Sequence, residues 1–159
     1  MKSQSVLKFL EKYNLKIAFA ESMSGGRLAS ELVKHAGASN VFELGLVTYS
    51  NLMKEKYLNI DSKTIAKYGV VSKEVSEKMA LAIQKLAKSA VSVGITGNAG
   101  PLVQENSELG EAWVSICIFE EIKSYHLQYK NLKREEIIKA TTIKIYELLE
   151  QLLKEKIDL

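Results

Sequence analysis

The chain has 159 residues, of which 47% are hydrophobic and 26% charged, and its 22 basic and 19 acidic side chains give a net charge of +3. This length suits a single domain over residues 1–159, and the near balance of charge argues against a nucleic-acid partner. The single Cys cannot close an internal disulfide, and no apolar run approaches the roughly 18 residues that cross a bilayer. Because the N-terminal segment also lacks the pattern of a signal peptide, we expect a cytoplasmic protein with no membrane partner.

Helices and strands alternate along the first two thirds of the sequence. Apolar residues at helical spacing predict a surface helix at the N-terminus. Short apolar runs predict buried strands over residues 15–20, 41–50 and 90–96. Short helices are expected over residues 51–58 and 61–67, and a longer one follows a Ser72 cap and continues to about Lys88.

The last third of the sequence predicts a hairpin followed by a helix. Two β-rich runs, AWVSICIF and KSYHLQYK, have the pattern of antiparallel strands, and one apolar face over residues 133–154 indicates a long helix. Together the elements predict an α/β fold, a three-layer α/β/α sandwich on a mixed, mostly parallel five-stranded sheet with a C-terminal antiparallel hairpin. The apolar hairpin strands offer an edge, which predicts a homo-oligomer.

The sequence offers few groups for metal chemistry. His35 and His126 lie far apart, and neither has a second ligand four residues away, whereas a zinc site usually takes three or four His, Cys or carboxylate ligands. We therefore expect neither a metal nor a cofactor. Any hydrolysis would depend on Ser, Lys, Tyr and backbone N–H groups.

Three segments at predicted strand ends are unusually polar. They are ESMSGG at residues 21–26, VTYSNLMK at residues 47–54 and ITGNAGP at residues 95–101. Loops at the carboxyl ends of strands in an open α/β sheet line one crevice, so these segments can converge on one ligand. The first segment leads from a strand through a glycine-rich turn into a helix, which leaves backbone N–H groups for an anion or developing negative charge.

Several residues of these segments can also be explained by a structural role alone, without any catalytic function. Ser22 and Ser24 fit helix caps, the commonest role of Ser before a helix. Lys54 is equally consistent with an ordinary solvated lysine, since the chain has 22 basic residues. Tyr49 is consistent with packing at a strand end, and Thr96 with a residue that shapes a turn. The functional prediction therefore depends on the three segments occurring together, and not on any one of these residues.

The order and spacing of these segments, taken with GVVSKEV at residues 69–75, resemble the CinA C-terminal-domain family, also called nicotinamide-nucleotide amidohydrolases. The resemblance covers about residues 3–150. VTYSNLMK matches V-T-Y-S-N-x-x-K at every specified position and is the most specific segment. ESMSGG resembles E-S-C-T-G-G with Met23 at the Cys position, and ITGNAGP resembles T-G-I-A-G-P with Asn98 in place of an apolar residue.

The resemblance implies metal-independent hydrolysis of the carboxamide of nicotinamide mononucleotide to nicotinic acid mononucleotide and ammonia. Carried over by position, Ser22 is the nucleophile and Lys54 the general base, with Tyr49 nearby. A Lys can take the Ser proton only if burial or a neighbouring cation lowers its pKa toward neutrality. The implied substrate-binding residues are Glu21, Ser24, Gly25, Gly26, Ser50, Asn51, Thr96, Gly97, Ala99, Gly100 and Arg134.

The substrate's reacting carbonyl and its phosphate each need donors. Gly25 and Gly26 are expected to let backbone N–H groups approach the oxyanion. The phosphate needs cations or N–H donors, for which Arg27, Lys133 and Arg134 are the candidates.

Two segments depart from the family pattern. Residues 102–110 lack the glycines, the Lys and the second Pro of a glycine-rich stretch ending in K-P-V-G, and they add Glu105 and Glu108, which would disfavour a phosphate. Near the last helix, aligning Arg134 with the Arg of a G-D-R motif puts Ile138 where a second basic residue is expected. These departures leave open a different substrate, or a catalytically impaired nucleotide- or partner-binding module. A third interpretation, a factor in DNA uptake or damage response, is supported only by the family's historical name.

Overall fold

A five-stranded sheet lies between two layers of helices in the computed structural model, which describes residues 2–157. The strands are β1 (Ile17–Glu21), β2 (Phe42–Val47), β3 (Val91–Gly97), β4 (Glu111–Ile118) and β5 (Glu121–Gln128). The helices are α1 (Lys2–Lys12), α2 (Arg27–Val33), α3 (Asn51–Leu58), α4 (Ser62–Tyr68), α5 (Lys73–Ala87) and α6 (Arg134–Lys156), with a 3-10 turn at Ala38–Asn40.

The sheet is mixed, with the strand order β2-β1-β3-β4-β5. Strand β1 pairs in parallel with β2 and β3, whereas β4 is antiparallel to both β3 and β5. Four strands therefore run in one direction and β4 runs against them, which confirms the predicted mixed, mostly parallel sheet with a closing hairpin.

Element ends differ from the predicted bounds where local contacts decide them. Strand β2 ends at Val47 instead of residue 50, since the Ser50 side chain accepts a hydrogen bond from the Met53 N–H and thereby caps α3. The hairpin turn is shorter than predicted because Ile122 belongs to β5, and Phe119 makes the turn with a positive φ of 55°. Helix α6 continues to Lys156, beyond the predicted end.

Alternate residues of β1 face two separate hydrophobic cores. Ile17 and Phe19 pack with residues of α1, α2 and α6 on one face of the sheet. Ala18 and Ala20 pack with residues of α3 and α5 on the other face. Because both faces of β1 are covered, all five of its residues are buried. In residues 2–157, no helix combines the length and the hydropathy needed to cross a membrane.

Gly94 of β3 lies directly beneath α5, and we expect Gly94→Ala to lower the free energy of unfolding by about 2–3 kcal/mol. A Cβ at this position would lie 2.6 Å from the Ala80 backbone nitrogen and would also clash with the Ser76 carbonyl oxygen, so the helix itself would have to move. Gly45→Ala in β2 is the matched control, since its Cβ would meet only side-chain atoms, with Phe42 Cζ the nearest at 3.0 Å. Urea denaturation measures both; equal losses would contradict the prediction.

Candidate active site

The three polar segments predicted from the sequence meet at one edge of the sheet, where the parallel strands β1, β2 and β3 end. They enclose a cleft of about 90 Å³. The predicted site residues that line it are Ser22, Tyr49, Asn51, Lys54, Thr96, Gly97, Ala99, Gly100 and Arg134. The other residues that line it are Met23, Val70, Asn98, Leu102 and Gln104.

Ser22 and Lys54 are in direct contact within this cleft. The distance between Lys54 Nζ and Ser22 Oγ is 2.8 Å. Lys54 Nζ also donates to the carbonyl oxygens of Thr48, at 2.7 Å, and Tyr49, at 3.4 Å. Lys54 lies one turn into α3, so its side chain returns to the end of β2, and only 1% of the residue is exposed. The predicted nucleophile and base are therefore within hydrogen-bond distance.

Burial lowers the pKa of Lys54 from its ordinary value of 10.5 to about 8. An appreciable fraction of the side chain is then a neutral amine near neutral pH. A neutral amine has two hydrogens and one lone pair. The Thr48 and Tyr49 carbonyl oxygens can accept the two hydrogens, which leaves the lone pair for the Ser22 hydroxyl proton. This geometry suits Lys54 as a general base.

Glu21 and Ser24 lie outside the cleft, although the resemblance implied that they bind substrate. Both residues are buried, and Ser24 Oγ donates to Glu21 Oε1 at 2.7 Å. The Glu21 carboxylate also accepts the backbone N–H groups of Leu28 and Ala29, at 2.9 and 3.1 Å. These bonds hold the glycine-rich turn against the start of α2, so the two side chains build the turn that carries Ser22.

The glycines of the first segment and Ser50 also have structural roles outside the cleft. Gly25 and Gly26 adopt positive φ values of 60° and 99°, which form the turn before α2. The Gly25 N–H donates to the Ser22 carbonyl oxygen at 3.0 Å, so it does not serve the oxyanion as expected. Ser50 is exposed, and its side chain is committed to the Met53 N–H.

Arg134 joins two of the three segments at the cleft. Its guanidinium donates to the Tyr49 hydroxyl at 2.8 Å and to the Gly100 carbonyl oxygen. The other cations that were candidates for a phosphate do not line the cleft. Arg27 instead forms a salt bridge with Glu135 at 3.0 Å, and Lys133 is exposed at the start of α6.

Ile138 occupies the position at which the family pattern has a second basic residue. Ile138 is half-buried and packs against the core formed by α1, α2, α6 and the sheet. It lies one helical turn beyond Arg134, on the side of α6 that faces this core. A basic side chain at this position would have to leave the core.

Asn98, which replaces an apolar residue of the family pattern, organises the loop over residues 102–110. Its side-chain nitrogen donates to Ser107 Oγ and to the Glu108 carbonyl oxygen, and its side-chain oxygen accepts the Gln104 N–H at 3.1 Å. Two of the departures from the family pattern, Asn98 and this loop, are therefore one structural feature. The feature brings Leu102 and Gln104 to the cleft.

The two histidines lie away from the cleft. His35 Nε2 is 2.8 Å from Ser3 Oγ, and His126 Nε2 is 3.0 Å from a carboxylate oxygen of Glu111. Over residues 2–157, no group of three or more His, Cys, Asp or Glu side chains is placed to hold a metal ion.

Proteins of similar sequence match most of this chain. The model of the CinA C-terminal domain matches residues 1–153. A CinA-like protein of Petrotoga mobilis is 39% identical over 134 residues, which is 84% of this chain and 33% of that protein. The chain spans between 28% and 34% of the length of three curated relatives that it matches.

Solved structures share the whole architecture. A competence-damaged protein (CinA) superfamily protein from Klebsiella pneumoniae has a TM-score of 0.93 at 24% identity, with 97% of this chain and 96% of that one covered. The competence/damage inducible protein CihA from Agrobacterium tumefaciens has a TM-score of 0.91 at 27% identity, with 95% and 93% covered. With the family match spanning nearly every described residue, this chain belongs to the CinA C-terminal domain family.

Proposed function

We propose that this chain hydrolyses the carboxamide of nicotinamide mononucleotide, or of a related pyridine nucleotide, to the corresponding acid and ammonia. The observation that carries the proposal is the 2.8 Å contact between Ser22 Oγ and Lys54 Nζ in a cleft at the strand ends. The substrate class comes from the resemblance of the three cleft segments to nicotinamide-nucleotide amidohydrolases.

In the first half of the reaction, Ser22 Oγ attacks the carboxamide carbon while the Lys54 amine takes the hydroxyl proton. A C–O bond forms, and the carbonyl oxygen becomes negatively charged. The C–N bond then breaks as the Lys54 ammonium returns a proton to the leaving nitrogen. Ammonia departs, and the acyl group stays on Ser22 as an ester.

In the second half, the Lys54 amine takes a proton from water, which attacks the ester carbon. The bond to Ser22 Oγ breaks, Ser22 recovers its proton, and the carboxylic acid leaves, so one water is consumed for each ammonia released. Gly97, Ala99 and Gly100 line the cleft, and we assign the N–H groups for the oxyanion to this strand end. The Arg134 guanidinium supplies a positive charge for the phosphate.

The proposal is tested by measuring ammonia release from nicotinamide mononucleotide. We expect release by the unmodified chain and a decrease of roughly 10³-fold or more in Ser22→Ala, because the nucleophile is removed. Ser30→Ala is the matched control, since Ser30 is exposed on α2 and does not line the cleft, and it should keep the full rate. EDTA should leave the rate unchanged. Release no greater than that of Ser22→Ala would refute the proposal.

A second candidate function is a nucleotide- or partner-binding module without turnover. It is favoured by the loop over residues 102–110, because Leu102 and Gln104 line the cleft where the family pattern has a glycine-rich stretch. Calorimetry distinguishes the two candidates when it is run beside the ammonia assay. Nucleotide binding without ammonia release would support the module, and clear turnover would dismiss it.

A further inference from the structure

Glu21 is a buried carboxylate placed directly before the proposed nucleophile. Only 1% of the residue is exposed, and it ends β1 immediately before Ser22. A buried carboxylate is costly unless hydrogen-bond donors surround it. Here the donors are Ser24 Oγ and the backbone N–H groups of Leu28 and Ala29, at 2.7 to 3.1 Å. Glu21 thus ties both ends of the turn that carries Ser22.

The backbone of Glu21 reaches the segment that carries the base. Its carbonyl oxygen accepts the Thr48 N–H at 2.9 Å. The Thr48 carbonyl oxygen in turn accepts a hydrogen bond from Lys54 Nζ at 2.7 Å. One residue therefore contacts the segment of the nucleophile through its side chain and the segment of the base through its main chain.

The turn that Glu21 holds has little rigidity of its own. It contains Gly25 and Gly26, both at positive φ, and glycine restricts the backbone less than any other residue. Helix α2, which follows, is anchored from the far side where the Tyr146 hydroxyl donates to the Leu28 carbonyl oxygen. The Glu21 carboxylate connects this anchored helix to the flexible turn.

We infer that Glu21 is a positioning residue that fixes Ser22 Oγ at hydrogen-bond distance from Lys54 Nζ, and that it does not bind substrate. The inference rests on the proposed Ser22 and Lys54 chemistry. A displacement of about 1 Å between reacting groups can lower a rate by roughly 10²-fold. Loss of the carboxylate should therefore weaken the reactivity of Ser22 without any change at a residue that lines the cleft.

The test measures the reactivity of Ser22 itself, with a small fluorophosphonate as the probe. In this reaction Ser22 Oγ forms a bond to phosphorus, the P–F bond breaks, fluoride leaves, and the hydroxyl proton passes to Lys54. Intact mass gives the second-order rate constant for the folded protein. Glu21→Gln keeps the size of the side chain and one acceptor oxygen but removes the charge, so it is the principal variant.

We expect Glu21→Gln to slow labelling by roughly 10- to 100-fold and Ser24→Ala, which removes one of the three bonds, to slow it less. Glu31→Gln is the matched control, because Glu31 lies on α2, bonds to Ser3 and does not line the cleft, and it should label at the unmodified rate. A purely structural role would lower the thermal midpoint of Glu21→Gln and leave its labelling rate within twofold of the unmodified protein, which would overturn the inference. Slowed labelling without ammonia release from any pyridine nucleotide would refute the proposed function but not the role of Glu21.

Discussion

Replacing Lys54 with methionine is expected to lower the rate of the proposed amide hydrolysis by roughly 10³- to 10⁴-fold. Lys54 Nζ is the side-chain base that lies at 2.8 Å from Ser22 Oγ, and methionine has a similar length but no basic nitrogen. Without a base, the Ser22 hydroxyl is a weak nucleophile at neutral pH. The ammonia assay measures the loss, and full activity in Lys54→Met would contradict the assigned base.

The same assignment predicts the pH dependence of kcat/KM. The proposed reaction needs the neutral amine, and burial lowers the pKa of Lys54 to about 8. The rate should therefore rise as pH increases through about 8 and level off above it. Lys54→Arg is the matched control, since arginine keeps the charge but cannot lose a proton in this range, and it should be inactive at every pH. A flat profile between pH 6 and 9 in the unmodified chain would argue against Lys54.

The main elements and the paired Ser22 and Lys54 could be predicted because their signals are local. Hydrophobic periodicity indicates the order of helices and strands, and the three strand-end segments contain most of the cleft residues in short runs. The meeting of these segments follows from the parallel order of β1, β2 and β3, which the alternation of helices and strands already indicates. Sequence position therefore sufficed to bring Ser22 and Lys54 to the cleft, but it did not indicate Val70, Leu102 and Gln104, which also line it.

The roles of Glu21 and Asn98 could not be predicted from the sequence, because they depend on contacts made only in the folded chain. Glu21 lies next to Ser22 in a family motif, so the motif implied substrate contact. Burial and three donors from its own turn and from α2 give it a different role. The partners of Asn98 come from residues 104–108, a polar stretch with no periodic signal. A strand-end Asn followed by a polar loop is the only hint that the sequence holds.

Lys54→Met is also expected to stabilise the fold at pH 7, by about 1–2 kcal/mol. The pKa of Lys54 falls from 10.5 to about 8 on folding, and each unit corresponds to about 1.4 kcal/mol, so the buried ammonium costs the folded state about 3 kcal/mol. Methionine removes this cost but leaves the Thr48 and Tyr49 carbonyl oxygens without their donor, which offsets part of the gain.

The stabilisation should disappear as pH rises. Below about pH 8, Lys54 is protonated in both the folded and the unfolded chain, and the folded state bears the full cost of burying the charge. Between about pH 8 and 10.5, the unfolded chain holds a proton that the folded chain does not, so the unmodified protein becomes more stable as pH increases. Since methionine does not titrate, the advantage of Lys54→Met shrinks by up to about 3 kcal/mol across this range. Urea denaturation at pH 7 and pH 10 measures the change, with Lys56→Met, an exposed lysine of α3, as the control that should show no such dependence. An advantage that stays constant between the two pH values would mean that burial does not lower the pKa of Lys54, and the general-base assignment would lose its physical basis.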